Sequence, residues 1–141
     1  MRIKRAVFQK LITSCPIVPP EVGGILGSHS GIVDTVVFDT GSRIMKSAVY
    51  IPDATYLNSE LEKWHHEEIS FCGLFHSHPR GQETLSKDDI EYIQTIMFSL
   101  PDTVSQLFFP IVIPNSHLIS YKAINQNHSI LIVDDTIDLV P

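Results

Sequence analysis

Two histidines and an aspartate within residues 71–89, FCGLFHSHPRGQETLSKDD, have the types and spacing of metal ligands. His76 and His78 stand two apart, so on a β-strand both imidazoles leave the same face, about 7 Å apart along the chain. That is close enough for both to reach one ion. Pro79 stops the strand, and six residues later Ser86-Lys87-Asp88-Asp89 opens a helix. Asp89, one turn in, can lean back toward the strand end. Two imidazole nitrogens and one carboxylate leave a tetrahedral zinc one position short, and a water would fill it. This is the ligand set of a catalytic zinc site rather than a structural one. Amide hydrolysis there also needs a group that takes a proton from water and returns it to the leaving amine, normally a second carboxylate that is not a ligand. Glu21, at the head of the apolar, glycine-rich stretch EVGGILG, is a candidate, although spacing alone does not bring it to the histidines.

Each piece has a plainer reading. Ser86-x-x-Asp89 is also a capping box, in which the serine accepts from a backbone N–H and the acid reaches back. A His-x-His on a strand is often incidental. The conjunction carries more weight than the parts. Two histidines and an acid at one strand end need a reason, because unpaired buried polar groups are costly. Capping and metal binding are also compatible, since a capping carboxylate can still offer an oxygen to a cation.

The elements that must position these groups read as an alternation of strands and helices. A first strand or turn leads into a helix over 5–14, with Ile3, Val7, Leu11 and Ile12 at helical spacing. Pro16, Pro19 and Pro20 end it and force an extended lead-in to a strand over 21–27, whose glycines allow another backbone or a substrate to come close. Strands over 32–38 and 45–51 around Asp39-Thr-Gly-Ser42 suggest a hairpin. A helix over 53–68 carries Leu57, Leu61 and Trp64 on one face. A strand over 69–75 leads to the histidines, and a helix over 86–100 repeats Ile90, Ile93, Ile96 and Met97 until Pro101. Strands over 107–113 and 118–124 flank a turn at 114–117, and a last strand over 129–133 precedes an acidic tail. This pattern implies an α/β domain over residues 1–141, with a mixed sheet and helices on both faces.

Composition limits the function classes. The chain has 141 residues, 43% of them hydrophobic and 18% charged, an ordinary globular balance. The net charge of −6 argues against nucleic acid as the main ligand, because phosphate neutralisation needs a basic face. Cys15 and Cys72 do not form a disulfide framework, which fits a reducing compartment. The start MRIKRAVFQKLI fails as a signal peptide, and no apolar run reaches membrane-spanning length. The expectation is a cytoplasmic protein with no membrane partner. His65 and His66 read as solvent-exposed. His29 follows the Glu21 strand and could lie near the site, and His117 sits in a turn. Cys72 reads as a small buried residue that could share a face with His76 or His78.

Taken together, Glu21 in EVGGILG, His76-Ser77-His78-Pro79 and Ser86-x-x-Asp89 after a six-residue gap resemble the signature of the JAMM, or MPN-plus, metallopeptidases, with every position filled. The resemblance spans Glu21 to Asp89, and the flanking elements fit the family's domain. It implies the α/β/α fold shared with cytidine deaminases, with a mixed curved sheet, and one Zn²⁺ per chain held by His76, His78 and Asp89. It further implies that Glu21 activates the water and protonates the leaving amine, and that Ser86 helps hold the oxyanion. Eukaryotic relatives cut isopeptide bonds to ubiquitin-like proteins. Prokaryotic relatives act on ubiquitin-like modifiers and sulfur-carrier proteins ending in Gly-Gly. The partners implied are such a protein as substrate and an E1-like adenylating enzyme in the same pathway. An extended Gly-Gly tail suits a site that takes strand-like peptides. The chain lacks the long insertions and the additional Cys/His zinc cluster of some ubiquitin-specific relatives. Arg80 and Gln82, in the loop over 80–85, are candidates for substrate contact. The alternatives are a binding scaffold that keeps the zinc motif with weak or no catalysis, and a zinc deaminase. The second requires His-x-Glu and Pro-Cys-x-x-Cys, which the chain does not contain.

Overall fold

The computed structural model describes residues 1–41 and 50–141. In chain order the elements are β1 (Arg2–Lys4), α1 (Arg5–Ser14), β2 (Gly23–His29), β3 (Ile32–Asp39), α2 (Ala54–His66), β4 (Ser70–Ser77), α3 (Lys87–Ser99), β5 (Gln106–Phe108), β6 (Ile111–Ile113), β7 (His117–Gln126), β8 (Ser129–Asp135) and β9 (Asp138–Val140). They form one mixed sheet. β8 pairs with β7, β7 with both β5 and β6, and those two with β4; then come β2, β3, β1 and β9. β4 runs antiparallel to β2 and parallel to β5 and β6.

The alternation along the central strands divides the core between two layers. Leu26 of β2 and Phe75 of β4 join Val7, Leu11 and Ile12 of α1 on one face. Ile25 and Leu74 join Leu57 and Trp64 of α2 and Ile93 and Met97 of α3 on the other. Helices therefore cover both faces, as the sequence pattern implied. Full burial of a side chain such as Ile93 or Met97, each 1% exposed, is worth about 1.5–3 kcal/mol, which holds α3 against the sheet in one orientation. His76 follows Leu74 by two, so it leaves β4 on the α3 side, where Asp89 waits.

Several expectations need correction. The strand expected over 107–113 is two pieces, β5 and β6, that occupy one position beside β4. Phe109 and Pro110 interrupt it, since proline has no N–H to give the ladder. The acidic tail contains β9, which adds to the sheet edge parallel to β1. The strand expected over 45–51 lies largely outside the described residues; Tyr50 and Ile51, which are described, carry no strand, and β3 pairs with β2 and β1. The strand placed at 21–27 begins at Gly23 and extends to His29. Cys72 does not share the histidine face. It is the extra residue of a bulge between β2 and β4, where Leu26 pairs with Gly73 but Gly27 pairs with Phe71. The bulge turns Cys72 into the α1 layer. No helix among the described residues is long and apolar enough to cross a membrane.

Candidate metal centre

The centre lies where the end of β4 meets the first turn of α3. His76 is the last-but-one residue of β4, and its backbone N–H donates to the Pro110 carbonyl at 3.4 Å. His78 follows just past the strand, yet its N–H still donates to the Val112 carbonyl at 3.0 Å. Both residues are thus held by the neighbouring strand position formed by β6. Between them, Ser77 faces the other way. Its N–H donates to the Val22 carbonyl at 2.7 Å, and its hydroxyl accepts from the Val22 N–H at 3.0 Å. This pair of hydrogen bonds to Val22 fixes the chain next to Glu21, two residues before β2 begins.

The rings of His76 and His78 meet edge to face, with centroids 4.6 Å apart and Nε2 atoms 2.9 Å apart. Asp89 Oδ1 lies 3.2 Å from His76 Nε2, and Asp89 Oδ2 lies 3.2 Å from His78 Nε2. The ligand atoms of His76, His78 and Asp89 all lie within 4.8 Å of one another, so the three could hold a metal ion. His78 Nδ1 is 2.9 Å from the Gln82 carbonyl. Since a carbonyl only accepts, Nδ1 carries the hydrogen and Nε2 presents its lone pair to the centre. The donor set of two imidazole nitrogens and a carboxylate suits zinc, with a fourth position left for water or substrate.

Two local devices set this geometry. At α3, Ser86 and Asp89 form the reciprocal cap: the Ser86 hydroxyl accepts from the Asp89 N–H at 3.1 Å, and Asp89 Oδ2 accepts from the Ser86 N–H at 2.8 Å. The cap fixes the carboxylate rotamer that faces the histidines. After β4, a turn brings the Gln82 N–H to the Pro79 carbonyl at 3.1 Å. Gly81 sits in it with φ +90°, a conformation that side chains with a Cβ rarely adopt. This turn places the Gln82 carbonyl beneath His78. Sequence reasoning weighed the Gln82 side chain as a substrate contact and missed its backbone; the Pro-Arg-Gly-Gln turn pattern was the available signal.

The electrostatics couple the histidines to the carboxylate. Burial works against a charge on His78, but Asp89 and the Gln82 carbonyl outweigh it and raise its pKa. Burial likewise opposes charge on Asp89, yet its bonds to His76, His78 and the Ser86 N–H hold its carboxyl well below the usual range. A metal ion would take the place of the proton these groups share, since ligands must be deprotonated to bind it.

Glu21 lines the same cavity as His76 and Asp89, and it also lines a small recess beside His78. Its Oε2 accepts from the Tyr50 N–H at 3.4 Å. Tyr50 comes this close because Gly23 has no Cβ: one built there would fall 2.4 Å from the tyrosine ring. Asp39 secures Tyr50 from below. Its carboxylate accepts from the Tyr50 hydroxyl, the Asp53 N–H and the Gly41 N–H, each at 2.8 Å.

The remaining candidates fall elsewhere. Arg80 and Gln82 are exposed beside the site. His29 lies at the far end of β2, because Gly23, not His29, is opposite His76; it pairs with Asp34 at 2.7 Å. His65 and His66 are exposed on α2. His117 bonds to Ser116 at 2.6 Å and lies 3.4 Å from Glu83. Burial pushes the Cys15 thiol up to about 12 and the Cys72 thiol up to about 11, so neither is an activated nucleophile.

No family model matches the chain, and a search of curated protein sequences finds no match. Solved structures do show its fold. The chain is similar to protein DSY2949 of Desulfitobacterium hafniense, with 16% identity and TM-score 0.67 over 99% of this chain and 92% of that one. It is similar to a protein of Salinibacter ruber, with 14% identity and TM-score 0.58 over the same shares. It also resembles AF2198, a JAB1/MPN domain protein of Archaeoglobus fulgidus, with 14% identity and TM-score 0.50 over the whole of both chains. The mixed sheet with helices on both faces is thus consistent with the MPN fold.

Proposed function

We propose that the chain is a zinc-dependent metallopeptidase. It hydrolyses the amide bond after the C-terminal Gly-Gly of a ubiquitin-like or sulfur-carrier protein, in deconjugation or processing. The observation that carries this reading is the convergence of His76, His78 and Asp89, with Glu21 lining both the cavity that holds His76 and Asp89 and the recess beside His78. His76 Nε2, His78 Nε2 and the Asp89 carboxylate would hold the ion. When bound, zinc supplies a Lewis acid that polarises the scissile carbonyl and makes water acidic enough to attack near neutral pH. Glu21 takes the proton from the attacking water and delivers it to the leaving amine. The Ser86 oxygen already accepts from Asp89, which leaves its own hydrogen to donate to the developing oxyanion. The Gln82 carbonyl holds the His78 tautomer in which Nε2 is the ligand. An adenylating enzyme that activates the same modifier belongs to the proposed pathway.

The test is Glu21→Ala. It is expected to keep zinc, read by metal analysis, and to lower turnover of a Gly-Gly-terminated fusion by about 10²–10⁴-fold, the usual worth of a general base. Near-normal turnover would move the proton transfer to another residue. A zinc-loaded wild type without any turnover would favour a binding scaffold. Zinc-loaded Glu21→Ala, set against His78→Ala as bait in lysate of its own host, would identify the substrate by mass spectrometry as a protein ending in Gly-Gly.

A further inference from the structure

Glu21 stands ahead of β2, outside any helix or strand, and its neighbour Val22 is tied to Ser77. That tie fixes where the side chain starts and leaves its torsions free. A general base must come within about 2.6–3.2 Å of the proton it takes, so the carboxylate itself needs a hold. Among the described residues its one hydrogen-bond donor is the Tyr50 N–H, 3.4 Å from Oε2. Tyr50 lies on no strand or helix either, so no ladder holds that N–H in place. Its own side chain does. The ring packs over Gly23, where a Cβ would collide with it, and beside Gly41, where a Cβ would fall 3.3 Å from it and 2.6 Å from the Ile51 carbonyl oxygen. The Tyr50 hydroxyl donates to Asp39 Oδ2 at 2.8 Å, and the same carboxylate accepts the Gly41 and Asp53 N–H groups. Burial, with the Asp39 carboxylate, pushes the phenol pKa far up, so the phenol remains the donor. Asp39 ends β3 directly opposite Gly23, the first residue of β2. The acid that grips the phenol is therefore set in register by the strand that Glu21 precedes.

We propose that Asp39 and Tyr50 are positioning residues for Glu21. Asp39 fixes the phenol, the phenol and its ring fix the Tyr50 backbone, and the Tyr50 N–H holds Glu21 Oε2, which leaves Oε1 to take the proton and return it. The role of Glu21 in this proposal rests on the peptidase reading; the hold on its carboxylate is a property of the chain without zinc or substrate. Neither Asp39 nor Tyr50 needs to touch the reacting atoms. Each acts by keeping the carboxylate in one orientation through both proton transfers, where a displacement of about 1 Å is enough to cost about 10²-fold in rate. Loss of the hold therefore slows the chemical step and leaves zinc and substrate binding in place.

The test begins with the whole chain free of zinc, where amide hydrogen exchange read by two-dimensional NMR reports each N–H. Glu21→Ala is expected to speed exchange at Tyr50 by about five-fold or more, the worth of one hydrogen bond. Exchange at Gly41 and Asp53, whose N–H groups donate to Asp39, should not change. Tyr50→Phe keeps the ring and the backbone N–H and removes only the hydroxyl; it is expected to speed exchange at position 50 as well. Unchanged exchange at Tyr50 in Glu21→Ala overturns the proposal, whatever the turnover. With zinc bound and a Gly-Gly-terminated fusion as substrate, Tyr50→Phe is expected to lower kcat by about ten-fold, with KM and zinc affinity within about two-fold of wild type. Added to Glu21→Ala, the same substitution should change kcat no further, because the residue it acts through is gone. Asp39→Asn, which gives up one acceptor oxygen for an NH2 group, is expected to repeat this pattern. An unchanged kcat, a matching loss of zinc affinity, or an equal loss on top of Glu21→Ala would make Tyr50 merely structural and overturn the proposal. A zinc-loaded wild type without turnover, in which Glu21→Ala still speeds exchange at Tyr50, sinks the peptidase reading and keeps the hold. Turnover indifferent to Tyr50→Phe sinks the positioning role alone.

Discussion

Asp39 is 4% exposed, and its two oxygens accept from two backbone N–H groups and one phenol. The side chain of Asp89 is 13% exposed, and its oxygens face two imidazole Nε2 atoms, one of them with its lone pair turned inward. Both carboxylates belong to the same side of the sheet, one beneath Tyr50 and the other beside His76. The first is surrounded by fixed neutral donors that leave nothing for a ligand to supply. The second has one fixed donor, the Ser86 N–H, and otherwise faces ring nitrogens that can give up their protons to become lone pairs. A buried acid whose partners are fixed donors is a staple for the chain, whereas a buried acid whose partners can exchange a proton for a lone pair is a place for a cation. Burial alone would not separate them; the inventory of hydrogens does.

That contrast can be broken by exchanging which property each substitution removes. His78→Ala and Asp89→Asn are expected to weaken zinc binding by about 100-fold or more, since even a residue that only supports a ligand is worth about 10–100-fold. Calorimetric titration with zinc checks this, and unchanged affinity would end the ligand assignment. Asp39→Ala should do the opposite. It orphans three donors and is expected to cost about 3 kcal/mol of stability in urea unfolding, with zinc affinity kept within a few-fold.

The pH dependence of the zinc-free protein sharpens the same difference. The Asp89 carboxyl is held low, so its contribution is complete above about pH 4 and is lost as the pH falls through its folded value. His78 is held high, so its contribution is complete below about pH 6.5 and is lost as the pH rises through its folded value. Unfolding measured from acid to alkali should therefore show a maximum between those limits, and Asp89→Asn should flatten both sides of it. The smallest effect is expected from Gly81→Ala, where nothing lies within 4 Å of the added methyl and only the positive φ resists. A loss of about 1 kcal/mol, with a modest fall in zinc affinity as the Gln82 carbonyl shifts under His78, is the expected reading.

Much of the fold was legible because its helices and strands follow simple periods. The helices expected over 5–14, 53–68 and 86–100 appear as α1, α2 and α3, with ends differing by at most two residues. β9 was hidden because Asp138, Leu139 and Val140 are too few to show alternation; the edge of β1 makes them a strand. The split of β5 from β6 was carried by Pro110, whose effect depends on which neighbour needs its N–H. The face of Cys72 could not be read at all, because a bulge is a property of two strands in register and not of either one.

The sequence by itself determined which groups could bind a metal and that the two histidines share a face, since strand parity and helix capping are local. It also determined that Asp89 would be capped by Ser86, a bond between residues three apart. Only the tertiary structure decided that these groups meet. β6 holds both histidine backbones, α3 is pressed onto the sheet by Ile93 and Met97, and Val22 is tied to Ser77, 55 residues away, so that Glu21 reaches the same cavity. The reason is physical. Spacing along a chain fixes direction over a few residues, whereas the approach of segments far apart is set by the packing of the apolar faces between them, and that is a property of the assembled core.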